Sequence, residues 1–128
     1  MSEQLSVLVI EDERHVRNIL EYNLRLNGFD VSIAEDGRKG LELACQVKPD
    51  VILLDWMMPE MDGLEVLSQL KKDSETENIP VFMLTAKAMR NDLIQALQQG
   101  ADDYIAKPFE PVTLGQTVRH KLENLVKG

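Results

Sequence analysis

Glu11 and Asp12 follow directly on the apolar run Leu5 to Ile10, Asp55 follows Val51 to Leu54, Thr85 follows Val81 to Leu84, and Lys107 follows Tyr104 to Ala106. Each polar group stands at the carboxyl end of a short apolar run. If those ends converge, three carboxylates share one place with a single ammonium, a formal charge of −2. Such a set either raises its own pKa values or draws in a cation. Mg²⁺, or Mn²⁺ in its place, is the natural guest of oxygen donors, and no cysteine or histidine ligand set accompanies them. With the ion bound, a carboxylate oxygen can attack phosphorus and give an acyl phosphate. Charge on the transferring oxygens would be met by the ion, Lys107 and the Thr85 hydroxyl. Asp55 is the best-placed nucleophile because it ends the run expected to be the central strand, and the Glu11–Asp12 pair is better suited to holding metal.

The intervening segments have to bring these ends together. Val16/Ile19/Leu20/Leu24, Leu41/Ala44/Cys45, Leu64/Leu67/Leu70, Met89/Leu93/Ala96/Leu97 and Leu114/Val118/Leu122/Leu125 each trace one face of a helix. Asn27-Gly28 and Gly100 are natural helix stops, and Pro49 and Pro80 stand just before strands. The pattern is βα repeated five times. Runs as apolar as Val-Ile-Leu-Leu and Val-Phe-Met-Leu suit strands covered on both faces, and helical crossovers make those strands parallel. The expected architecture is a doubly wound, three-layer α/β sandwich, in which ligands bind beyond the carboxyl ends of the strands where the strand order reverses.

Residues 1–128 fit a single compact domain, and 44% apolar with 28% charged residues is ordinary for a folded globular chain. The charge of −8 argues against direct nucleic acid binding, which needs a basic face. Apolar stretches are too short to cross a bilayer and the start lacks a signal peptide's regions, so a cytoplasmic protein without membrane contact is expected. The lone Cys45 agrees with a reducing compartment and, by its spacing from Leu41, is expected as a core thiol.

Four segments together carry a family resemblance. Ile-Glu-Asp-Glu at 10–13, Leu-Leu-Asp-Trp-Met-Met-Pro-Glu-Met-Asp-Gly around Asp55, Leu-Thr-Ala at 84–86 and Gly-Ala-Asp-Asp-Tyr-Ile-Ala-Lys-Pro-Phe at 100–109 resemble the receiver domains of two-component response regulators, over essentially the whole chain. The resemblance implies a five-stranded, flavodoxin-like sheet in the order 2-1-3-4-5. It implies Asp55 as phosphoacceptor, Glu11, Asp12, Asp55 and the Met57 backbone carbonyl around the metal, and Thr85 and Lys107 as phosphoryl contacts. Tyr104 would be the aromatic switch residue, and the Lys107–Pro108 bond would be cis. Phosphate would come from a sensor histidine kinase or a phosphotransfer protein, and the chain would catalyse only its own phosphorylation and dephosphorylation. A downstream protein would read the surface of the fourth helix, fifth strand and fifth helix.

Residues 100–109 look most like the winged-helix transcription-factor subfamily, whose receivers dimerise through paired charges on that surface. Here Asp102 and Asp103 are kept, but Leu93, Thr113 and Thr117 stand where charged partners are usual. A monomer or a weak phosphorylation-dependent dimer is therefore expected. The absence of a following linker favours a stand-alone regulator.

Other readings are weaker. An FMN carrier of the same fold needs a hydroxyl- and glycine-rich phosphate loop where this chain has Glu-Asp-Glu. A phosphoaspartyl phosphatase usually has a second Asp where Met57 stands. A static binding module would not require the full acceptor set. His15 and His120 are expected as solvated residues, the Met57-Met58 pair and Lys87 as neighbours able to tune water access, and Trp56 as a fluorescence reporter of the pocket.

Overall fold

The computed structural model describes residues 4–86 and 90–127. Strands β1 (Ser6–Ile10), β2 (Asp30–Ala34), β3 (Val51–Asp55), β4 (Val81–Thr85) and β5 (Asp103–Ala106) alternate with helices α1 (Arg14–Leu26), α2 (Gly37–Val47), α3 (Gly63–Lys72), α4 (Arg90–Gln98) and α5 (Leu114–Lys127). All four strand pairings are parallel and the order is β2-β1-β3-β4-β5, as expected. Lys87 and Met89 lie outside the described residues. No described helix is long and apolar enough to cross a membrane.

Alternation along the strands divides the core in two. Leu8, Ile10, Ile52, Leu54 and Met83 pack with Val66, Leu67, Leu70 and Ala96 of α3 and α4. Val7, Val9, Leu53, Phe82 and Leu84 pack on the other face with Leu20 and Leu24 of α1 and Leu114 and Val118 of α5. Asp36 caps α2 by accepting from the Lys39 N–H, and Asp62 caps α3 by accepting from the Leu64 N–H, so both helices start firmly just beyond the carboxyl edge of the sheet. Gly28 and Gly100 adopt positive φ (88° and 111°), the conformation that lets the chain leave α1 and α4.

Cys45 is exposed, contrary to the expected core thiol. The buried face of α2 is built from Gly37, Gly40 and Ala44, which leaves Cys45 at its rim. There its Sγ lies 3.6 Å from Asp73 Oδ2. Partial loss of water around the sulfur and the nearby Asp73 raise the thiol pKa, which lowers its reactivity. The apolar stripes of α4 and α5 also reach the surface, with Leu97 and Leu125 exposed.

Candidate functional site

Sheet register brings the polar strand ends together. Ile10 pairs with Leu54, so Glu11 comes alongside Asp55 at the point where the strand order reverses. Thr85 pairs with Ala106, so Lys107 is the next residue out, and its N–H donates to the Thr85 carbonyl at 2.9 Å. The Lys107 ammonium reaches back past the end of β4 and donates to Asp55 Oδ1 and Glu11 Oε1, both at 3.0 Å. Carboxylate oxygens of Glu11, Asp12 and Asp55 lie within 4.8 Å of one another. Glu11, Asp55 and Thr85 are buried while Asp12 is exposed. Asp12 also lines an open cleft of about 680 Å³ between the loops that follow β2 and β3, where Arg38, Met58 and Met61 contribute.

The remaining expected residues fall around this core. Met57, two residues beyond Asp55, is exposed, whereas Met58 turns into the core. Trp56 is also buried in the core, its N–H donating to the Leu84 carbonyl. The Lys107–Pro108 peptide is cis. Tyr104 is 37% exposed on β5, with Lys121 Nζ 5.9 Å from its ring centre. His15 and His120 are exposed. Asp102 accepts from the Val81 N–H at 2.8 Å and from Lys71 Nζ at 3.3 Å, and Asp103 pairs with Lys121 of the same chain at 3.0 Å. Both acids of that motif are thus engaged within one chain.

Electrostatics at the site follow from burial. Losing water pushes the Glu11 carboxyl up to about 8, hydrogen bonding and repulsion from Asp55 add to this, and Lys107 opposes it. Burial by itself lowers the Lys107 ammonium, but its bonds to Asp55 and Glu11 outweigh that and the net shift is upward. The pocket therefore holds on to a proton that a divalent ion would replace.

The donor set suits such an ion. All its side-chain ligands are oxygens, and octahedral Mg²⁺ has neighbouring ligands roughly 3 Å apart and opposite ones roughly 4 Å apart, close to the spread observed here.

A pH dependence is expected. The Glu11 pKa is raised on folding, so its contribution to stability is complete below the ordinary value of 4.5 and is lost as pH climbs through about 8. Stability of the metal-free chain should fall between about pH 4.5 and about pH 8, and Mg²⁺ affinity should rise over that window by up to about tenfold per pH unit. Calorimetry in buffers of different ionisation heat reads the released proton. Metal binding at neutral pH without proton release would contradict this reading.

Two residues that shape the site are not evident from periodicity. A Cβ at Gly63 would lie 2.4 Å from the Asp55 carbonyl and 2.7 Å from Trp56 Cα, and the Gly63 N–H donates to the Trp56 carbonyl at 2.8 Å. Any side chain there must displace the backbone that carries Asp55. Arg17 Nη1 donates to the carbonyls of Glu11 and Asp12 at 3.0 and 2.8 Å.

Comparison with known proteins agrees with this geometry. The DNA-binding dual master transcriptional regulator RpaA of Synechocystis sp. is 45% identical over 104 residues, covering 81% of this chain and 43% of the relative. The phosphate regulon transcriptional regulatory protein PhoB of Escherichia coli is 44% identical over 108 residues, covering 84% and 47%. The chain thus spans less than half the length of these two regulators. Among solved structures, the receiver domain of the Francisella response regulator 1452 superposes with a TM-score of 0.86 at 34% identity, covering 95% of this chain and 99% of that one. The chemotaxis protein CheY4 of Vibrio cholerae gives 0.87 at 30%, covering 92% and 98%. A family model for the response regulator receiver domain matches residues 7–119, and the chain belongs to that family.

Proposed function

We propose that Asp55 accepts a phosphoryl group in a Mg²⁺-dependent reaction and that the acyl phosphate switches the surface formed by α4, β5 and α5. The observation that carries this reading is the Lys107 ammonium, 3.0 Å from both Asp55 and Glu11 at the carboxyl end of the central strand. A bound Mg²⁺ would neutralise charge on the transferring oxygens, and Glu11, Asp12, Asp55 and the Met57 carbonyl would hold it. A carboxylate oxygen of Asp55 forms the new bond to phosphorus. The bond from phosphorus to the donor breaks, and the leaving group keeps the electron pair and takes up a proton. Lys107 stays on the oxygens and Thr85 donates its hydroxyl to one of them. The donor would be the phosphohistidine of a sensor kinase or phosphotransfer protein, or a small acyl phosphate. A receiver is a signalling switch, and the turnover proposed here is limited to its own phosphorylation and dephosphorylation.

The switch rests on differential contact. The Thr85 hydroxyl gains a charge-assisted hydrogen bond only when it moves to the phosphoryl oxygen, worth about 1.5–3 kcal/mol. Tyr104 turns inward into the space vacated. That gain shifts a two-state population about tenfold or more but falls short of the about 5.5 kcal/mol needed for a 1:99 to 99:1 reversal. Lys107 therefore contributes by drawing β5 toward the phosphate. A downstream protein would read the changed Tyr104 rotamer.

The test is intact-mass analysis with a small acyl phosphate, with and without Mg²⁺, followed by hydroxylamine, which should remove the adduct. Amide exchange over residues 104–109 should then change on beryllofluoride loading in the parent and much less in Thr85→Ala. Mg²⁺-independent or hydroxylamine-stable labelling would refute the acyl phosphate. An unchanged exchange response in a Thr85→Ala chain that still binds beryllofluoride would remove Thr85 from the coupling.

A further inference from the structure

Adjacent residues leaving a strand send their side chains to opposite faces of the sheet, so Glu11 and Asp12 would by default not share a pocket. Their carboxylate oxygens nonetheless lie within 4.8 Å of each other and of Asp55. The chain has to bend sharply straight after β1 for this to happen, and the hydrogen bonds show what holds the bend. Arg17 Nη1 donates to the Glu11 carbonyl at 3.0 Å and to the Asp12 carbonyl at 2.8 Å, and the Arg17 N–H donates to the Glu13 carbonyl at 2.9 Å. The first two bonds belong to the Arg17 side chain, and the third is the first backbone bond of α1. The start of α1 has no side-chain cap, since Glu13 at the cap position makes no such bond. Glu11 is tied on the other side to β2, its N–H donating to the Ala34 carbonyl at 3.1 Å. Arg17 is partly buried, unlike Arg14 in the same turn, so it is not simply a solvated charge.

We infer that Arg17 is the positioning residue of the acidic site: by gathering the carbonyls of Glu11 and Asp12 its side chain turns the Glu11 and Asp12 carboxylates to one side, at a spacing that suits a shared divalent cation. The inference rests on the reading of these acids as a cation site. Arginine suits the task because its planar nitrogen offers two N–H groups in fixed directions, one for each carbonyl, and keeps its charge at any pH the protein meets. Lysine has a rotating ammonium and a different reach, so it should satisfy the two carbonyls less well.

The experiment uses Mn²⁺ as the probe, read by electron paramagnetic resonance of free and bound ion, with circular dichroism to establish folding. The parent, Arg17→Ala, Arg17→Lys and Arg14→Ala are compared. Residues that orient metal ligands typically alter affinity by about 10–100-fold when changed, so Arg17→Ala should bind about tenfold or more weakly and Arg17→Lys somewhat less so. Arg14→Ala, which deletes the same charge from the same turn, should stay within about twofold of the parent. Millimolar methylguanidinium should restore part of the binding to Arg17→Ala, an effect that general destabilisation would not produce. If Arg17→Ala does not fold, Arg17→Lys decides alone. Parent-like affinity in a folded Arg17 variant, or an equal loss in Arg14→Ala, overturns the role of Arg17 while leaving the cation site standing. A parent that binds no Mn²⁺ overturns the cation site and this inference with it.

Discussion

Asp55→Ala is expected to abolish phosphate incorporation, a fall of at least about a thousandfold, since loss of a nucleophile commonly costs that much or more. No neighbouring carboxylate can take its place. Glu11 is fully buried, so a phosphodonor has no direct approach to its carboxylate oxygens. Asp12 is exposed, and the Lys107 ammonium directs its bonds to Asp55 and Glu11 instead. The substitution should do little harm to the fold, because removing Asp55 also removes the hydrogen bond and the repulsion that raise Glu11. Glu11 and Lys107 are then left as a balanced pair. Near pH 9 the metal-free variant should therefore melt no lower than the parent. Intact-mass analysis with a small acyl phosphate and Mg²⁺, beside a thermal melt, separates chemistry from folding. Undiminished labelling of a folded Asp55→Ala chain would move the acceptor elsewhere.

Much of this molecule is legible in its sequence because period and burial coincide there. Val51 to Leu54 and Val81 to Leu84 are apolar on both faces, and they are the central strands, covered on both sides. Once five βα units are recognised, collecting the polar residues at strand ends retrieves Glu11, Asp12, Asp55, Thr85 and Lys107 together. Register then supplies the geometry that periodicity lacks.

The failures also have physical causes. A helical stripe is recognised by its apolar side chains, but α2 buries the face where side chains are missing. At Gly40 a Cβ would lie 2.4 Å from Ile10 Cδ1, and at Gly37 it would lie 2.7 Å from Val66 Cγ2. The helix approaches the sheet through Gly40 and α3 through Gly37, and Cys45 is left outward. Gly63 and Arg17 were not legible as site residues because their partners are backbone atoms, and no residue pattern encodes a carbonyl direction. Asp102 reads as a surface charge in sequence, yet it bridges the Val81 N–H and Lys71.

Lys107→Met should have an effect that depends on pH and should also impair phosphoryl uptake. The ammonium is the shared partner of two buried carboxylates, and removing one member of a buried ionic set typically costs about 3–5 kcal/mol when the remaining charges stay ionised. Here Glu11 has an alternative, since it can hold a proton, and without the lowering influence of Lys107 its pKa moves further up. Around pH 6 the variant should thus lose less stability than it does at higher pH, the cost there being the lost bond from Lys107 to buried Asp55. The deficit should widen as pH rises through the region of about 8, approaching about 3–5 kcal/mol once the unfolded chain gains fully from ionising Glu11 and the folded one does not. Phosphoryl transfer should slow by about a hundredfold to a thousandfold, the usual consequence of removing a donor aimed at developing negative charge. Thermal melts in chelator at both ends of the pH range, with a phosphorylation time course, measure the two effects separately. A destabilisation equal at all pH values would mean that Lys107 acts through its apolar stem rather than its charge. Parent-like transfer in a folded variant would remove it from the phosphoryl site.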